Sequence, residues 1–128
     1  MKIFTENQLS DICQKWQDLL RLSHWDIAIR ICKKEDMQIN DTQASNKISL
    51  TNECALISIL DPSDYPDSPF EQDMEVSLVH ELLHIPLKYI ANPEDNSLEN
   101  IHLEAFIEST AKLLVKLSRK ADKNDDTN

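Results

Sequence analysis

The spacing of apolar residues predicts one helix and then a strand at the start of the chain. After Thr5, apolar side chains recur at intervals of three and four residues, and Thr5 with Gln8 has the form of a capping box. We therefore predict a first helix over about 6–22. From Trp25 to Ile31, apolar and polar residues alternate, which is the period of a strand with one buried face.

The middle of the chain predicts two more strands separated by polar segments. Residues 33–46 are polar and indicate a loop, whereas 48–50 and 55–59 carry short apolar patterns of the strand type. The segment 61–69 contains three prolines, which cannot continue a sheet. The sheet is therefore expected to have three strands.

Two helices are predicted in the second half. Ser68-Pro69-Phe70-Glu71 combines a Ser N-cap, Pro at the first helical position and Glu at the third, so we expect a second helix to begin there and to weaken near Pro86. Residues 92–96 indicate a turn, and Ser97 can cap a third helix that reaches about Arg119.

The order helix, three strands, helix, helix predicts the α+β class. A chain of 128 residues is expected to fold around one core. We assign 1–120 to a single domain and 121–128 to a disordered polar tail.

Charge and hydropathy exclude several classes of partner. The formal net charge is −10, so the surface field should repel nucleic acids and anionic membranes. No apolar run approaches the roughly 20 residues that a membrane span needs, and the polar residues near Met1 come too early for a signal peptide. A cytoplasmic location is expected.

Cysteine and glycine usage narrows the chemistry. Cys13, Cys32 and Cys54 are widely spaced, which predicts buried free thiols rather than disulfides or a thiolate zinc site. The chain has no glycine, so turns with positive φ should fall on Asn or Asp, and glycine-rich phosphate loops are excluded.

The segment His80-Glu81-Leu82-Leu83-His84 is the strongest chemical signal. Imidazoles four residues apart on a helix point at one place, where they can bind a zinc ion. Glu81 follows the first ligand and can reach a zinc-bound water without binding the metal, as a general base must.

A catalytic zinc needs a third protein ligand, and the last helix offers candidates. At 100° per residue, Glu104 falls between the directions of Ala111 and Val115 and is the best choice, while His102 faces solvent. Glu108 lies at the edge of the same face. It is either a solvated residue or an i, i+4 partner of Lys112, or else an acceptor that orients a ligand imidazole. The predicted apolar arc of this helix comprises Leu103, Phe106, Ile107, Thr110, Ala111, Leu113, Leu114, Val115 and Leu117.

With Glu104 and Glu108, the HELLH segment resembles the gluzincin branch of the zincin metallopeptidases, whose pattern is H-E-x-x-H followed by E-x-x-x-D. The element order is similar to that of the minigluzincins and of small phage-encoded metallopeptidases, over most of 5–117. The resemblance implies a small zincin-like domain in which His80, His84 and Glu104 bind zinc, Glu81 is the general base and Glu108 supports a ligand. A metzincin pattern does not fit, because its glycine and third histidine would fall on Leu87 and Ile90.

The hypothesis is a zinc metallopeptidase with Zn²⁺ as cofactor and a peptide or protein as substrate. The substrate would pair with an exposed sheet edge, for which the strand over 55–60 is the candidate. Two alternatives stay open: a zinc-binding regulatory or interaction module of a phage or other mobile element that cuts nothing, and a purely structural zinc. Glu81 argues against a structural zinc. No residue after Glu108 is His or Tyr, and only Tyr65 and Tyr89 are nominal candidates for oxyanion stabilisation.

Overall fold

A computed structural model describes residues 1–37 and 43–126 of the chain and confirms the α+β class, with three helices and a three-stranded mixed sheet in one small domain. The elements are α1 (Glu6–Leu19), β1 (Asp26–Cys32), β2 (Ala44–Ser49), β3 (Cys54–Leu60), α2 (Met74–Lys88) and α3 (Leu98–Asp126), with short 3₁₀ turns at Lys34–Asp36 and Pro62–Asp64.

The strand order of the sheet is β1-β3-β2, with β1 parallel and β2 antiparallel to β3. The expectation that the strand over 55–60 forms an edge is wrong, because β3 is paired on both sides. β2 begins earlier than predicted, inside the segment taken for a loop, and its polar residues suit an outer strand. The rest of that predicted loop, 38–42, lies outside the described residues.

The core lies between the sheet and the helices. α2 contacts β2 and β3 and also packs against α1 and α3. The largest fully buried side chains are Leu9, Ile57, Ile59, Met74, Leu78, Val79, Leu82, Ile85, Ile107 and Val115. Since five of these ten belong to α2, the helix that carries the HELLH segment is held firmly on the sheet.

The start of α2 differs from the prediction. Ser68 accepts a hydrogen bond from the Phe70 amide, but the helix begins at Met74, with Asp73 accepting from the Val76 amide as N-cap. The reason is a contact between the two helices: the Asp73 carboxylate also accepts hydrogen bonds from both terminal nitrogens of Arg119 on α3, at 2.8 and 3.0 Å. This pair joins the start of α2 to the second half of α3.

Helix α2 ends close to Pro86, as expected, whereas α3 extends further than predicted. Pro86 lies inside α2, which continues to Lys88. Because Pro86 is close to the end of the helix, its missing N–H removes one helical hydrogen bond without stopping the helix. α3 runs through Asp126 instead of ending near Arg119, which corrects the predicted disordered tail over 121–126. Among the described residues, no helix is long and apolar enough to cross a membrane.

The buried face of α3 is narrower than the predicted arc. Ile107, Ala111 and Val115 are buried, as expected. Three other members, Phe106, Leu113 and Leu117, are more than half exposed. The helical period correctly grouped the residues that share a side, but α2 covers only one part of that side.

The three cysteines are free. Cys13 and Cys32 are buried as predicted, whereas Cys54 is only partly buried. Burial raises the pKa of the Cys13 thiol to about 11, so this group stays protonated at neutral pH.

Within 1–37 and 43–126, three residues have positive φ, namely Arg21 at 60°, Glu53 at 51° and Asn96 at 63°. Only Asn96 fits the expectation that Asn or Asp takes such turns. Arg21 follows α1 in a Schellman arrangement, in which the Leu22 amide donates to the Gln17 carbonyl at 2.7 Å. A residue with a Cβ is strained in this conformation.

We predict that Arg21→Gly raises the free energy of unfolding by about 1 kcal/mol, because glycine adopts this φ without a steric penalty. Chemical denaturation measures the difference. Arg21→Ala is the matched control: it removes the same exposed side chain but keeps the Cβ, so it should bring no comparable gain. Equal stability of the two variants would show that the backbone at Arg21 is not strained.

Candidate metal and catalytic site

Helix α2 places the two histidines of the HELLH segment side by side. Their offset of one turn leaves the ring centroids of His80 and His84 5.3 Å apart. Leu82 and Ile85, on the other side of the helix, are fully buried against the sheet. The helix therefore cannot rotate without exposing its core face, and both imidazoles stay directed toward α3.

Glu104 on α3 completes a set of three donor groups. One oxygen of its carboxylate, Oε2, lies 3.0 Å from Nε2 of His80, and the other, Oε1, lies 3.2 Å from Nε2 of His84. A single carboxylate thus contacts the same nitrogen of both rings. Two imidazole nitrogens and one carboxylate oxygen form a donor set found in catalytic zinc sites.

Glu108 lies one turn beyond Glu104, against the opposite nitrogen of the first imidazole. Its Oε1 is 3.2 Å from His80 Nδ1, while its Oε2 is 4.0 Å from Nζ of Lys112. Glu108 therefore contacts both the His80 imidazole and the Lys112 ammonium group. In the tautomer of His80 whose proton is on Nδ1, this nitrogen donates to Glu108 and the lone pair of Nε2 points toward Glu104. A histidine that binds a metal through Nε2 needs this tautomer. His102 is exposed on α3, as the helical phase predicted.

Glu81 is buried within the cluster, with 6% of its surface exposed. Its Oε2 accepts a hydrogen bond of 2.7 Å from Nδ2 of Asn46 on β2. Burial raises the pKa of the Glu81 carboxyl, and the hydrogen bond from Asn46 opposes that rise. A carboxylate that is held in place and binds protons more tightly than usual suits a general base.

Two sets of three groups are thus possible for a metal. Side-chain atoms of His80, Glu81 and His84 lie within 4.8 Å of one another, and Glu104 contacts both imidazoles directly. The set with Glu104 is the better fit for a metal, because the Asn46 amide already holds one oxygen of Glu81. The remaining position of Glu81 beside the cluster fits a base better than a ligand.

The protonation of His84 also favours metal binding. Burial lowers the pKa of the His84 imidazole, and the nearby Glu104 carboxylate raises it in part. His80 and Lys88 lower this pKa further. The net effect favours the neutral ring, which is the form that donates a lone pair to a metal.

These groups line an open cleft of about 640 Å³. One wall is formed by 43–46 on and before β2, another by α2, and the third by 91–95 and the first half of α3. Lys88 brings a basic side chain to the cleft. The nominal oxyanion candidates lie elsewhere: the Tyr65 hydroxyl donates to the Phe70 carbonyl, and Tyr89 is exposed.

The structure brings together all five residues predicted for the site, namely His80, Glu81, His84, Glu104 and Glu108. Asn46 was missed. The only sequence signal for it was the polar segment in which it lies, which was taken for a loop. No protein-family model, curated protein or solved structure matches this chain.

Proposed function

We propose that this protein is a zinc-dependent metallopeptidase. The observation that carries the proposal is the single Glu104 carboxylate in contact with Nε2 of both His80 and His84, with the buried Glu81 carboxylate beside them. This combination supplies three ligands and one separate base, which are the protein groups that a hydrolytic zinc site uses.

In the proposed mechanism, His80, His84 and Glu104 hold the metal. When bound, zinc would supply a Lewis acid that lowers the pKa of a water and polarises the scissile carbonyl. Glu81 removes the proton from the attacking water and delivers it to the leaving amine. Asn46 positions Glu81 through its side-chain amide, and Glu108 orients the His80 imidazole from the other side.

The substrate is proposed to be a peptide segment in extended form. Among the described residues, β2 is paired with β3 on one side only, and the segment 43–46 borders the cleft. A peptide that adds to this edge would pass beside Glu81 and the ligands. β2 thus replaces β3 as the edge proposed for substrate.

A second candidate is a zinc-binding regulatory or interaction module without peptidase activity. It is favoured by the described lining of the cleft, which has no tyrosine and no histidine besides His80 and His84 to stabilise an oxyanion. An origin in a phage or other mobile element and a cytoplasmic location stay predictions.

The test compares Glu104→Ala, Glu108→Ala and His102→Ala, with zinc affinity and peptide cleavage measured for each. Glu104→Ala should weaken zinc binding most, because it removes an anionic ligand and opens a second water position. Glu108→Ala should reduce affinity or activity by about 10- to 100-fold, as expected for a group that orients a ligand. His102→Ala should change little, since the side chain is exposed.

Competition with a chromogenic chelator measures the affinities, and circular dichroism shows whether each variant is folded. Zinc loss in His102→Ala, with zinc retained in Glu104→Ala, would overturn the ligand assignment. Zinc binding in the expected order without any peptide cleavage by the wild type would favour the binding module.

A further inference from the structure

A row of exposed apolar side chains runs along α3 on the side that α2 does not cover. Phe106 is 58% exposed, Leu113 54% and Leu117 53%. Leu103 and Thr110, which are partly buried, lie in the same row. We call these five residues the α3 seam.

The spacing of the α3 seam is that of a coiled coil. Its members follow one another at intervals of three, four, three and four residues, so they form one nearly straight line along the helix. The buried residues Ile107, Ala111 and Val115 form a separate row that packs in the core. Single exposed leucines are common on protein surfaces, but a row with heptad spacing indicates a surface for another helix.

Charged residues at the two ends of the α3 seam indicate that the partner helix is α3 of a second copy, in antiparallel orientation. The same spacing continues to Glu99 at one end and to Lys120 at the other, and both are exposed. If a second copy lay parallel, Glu99 would meet Glu99 and Lys120 would meet Lys120, which is unfavourable. An antiparallel copy brings each glutamate next to a lysine.

The α3 seam is also nearly symmetric about its centre. A twofold axis at Thr110 places Leu103 opposite the partner's Leu117, and it places Phe106 within one residue of the partner's Leu113. Self-complementarity of this kind is what a twofold interface between identical chains requires.

We propose that the protein forms an antiparallel dimer in which the α3 seam packs against the seam of a second copy. Leu103 also lines the cleft, so the second copy would lie beside the cleft opening. The net charge of −10 per chain opposes association at long range, and moderate salt screens this repulsion more than it weakens pairs in contact. The proposal does not depend on zinc binding or peptidase activity.

The first experiment compares Phe106→Glu with Ile101→Glu by sedimentation velocity at moderate ionic strength. The two residues lie on the same helix and are both 58% exposed, but Ile101 is outside the α3 seam. Phe106→Glu should raise the dimer dissociation constant by more than about tenfold, because a carboxylate would be buried in an apolar contact. Ile101→Glu should leave the constant unchanged.

The second experiment tests the orientation through Glu99→Lys, Lys120→Glu and the double variant. Each single change should weaken the dimer, since it places like charges at both ends, and the double variant should restore it. A wild-type chain that stays monomeric at high micromolar concentration overturns the proposal. So does a dimer that Phe106→Glu does not weaken, whereas weakening by both single changes without restoration overturns the antiparallel arrangement.

Discussion

Purified protein supplied with zinc is expected to bind about one ion per chain, and His80→Ala or His84→Ala should each abolish this binding. Each imidazole contributes one of the three donor groups that meet between α2 and α3, the third being the Glu104 carboxylate. Three protein ligands are the usual minimum for a catalytic zinc, so two remaining groups should hold the ion only weakly. Elemental analysis after gel filtration measures the ratio of zinc to protein.

The matched control is His24→Ala. His24 is a surface residue outside the site, and its Nε2 lies 3.0 Å from a carboxylate oxygen of Glu53. Its loss should leave the zinc content unchanged, which separates site binding from adventitious binding to any histidine. Full zinc retention in a folded His80→Ala or His84→Ala variant would refute the metal site itself.

The second large effect is expected from Glu81→Gln. The amide has nearly the shape of the carboxylate and can still accept the hydrogen bond from Asn46, so fold and zinc content should be preserved. It cannot take a proton from water, and peptide cleavage should therefore fall by about 100- to 10,000-fold, the usual contribution of a general base. Cleavage of a fluorogenic peptide mixture measures the rate.

Glu71→Gln is a suitable control, because the Glu71 side chain is 76% exposed and pairs with Lys2 on the surface. It should cleave like the wild type. Equal rates for wild type and Glu81→Gln would mean that a contaminating peptidase cleaves the substrate. Loss of zinc in Glu81→Gln would instead make Glu81 a ligand and exchange its role with that of Glu104.

The arrangement of the site was predictable wherever it depends on one helix at a time. His80 and His84 share a face of α2 by their spacing alone, and the phase of α3 separates Glu104 from His102. These inferences use only the helical period, which both helices keep.

The features that could not be predicted depend on contacts between distant segments. The start of α2 is set by Arg119, which lies 46 residues beyond Asp73. Asn46 reaches Glu81 only because β2 pairs with β3 and both strands contact α2. In the same way, the helical period cannot tell that Phe106 stays exposed, because the width of the covered face depends on the neighbouring helix.

The antiparallel direction of β2 has a consequence for how a substrate would lie. A peptide that pairs antiparallel with β2 runs in the same direction as β3, so its amino-terminal part would lie beside Ser49 and its carboxyl-terminal part beside Ala44. Asn46 contacts the proposed base, which places the cleaved bond near this residue, and the cleft extends from there toward Gln43. On the proposed function, selectivity would therefore be set mainly by the residues that follow the cleaved bond, and a peptide library varied on that side would show the stronger preferences.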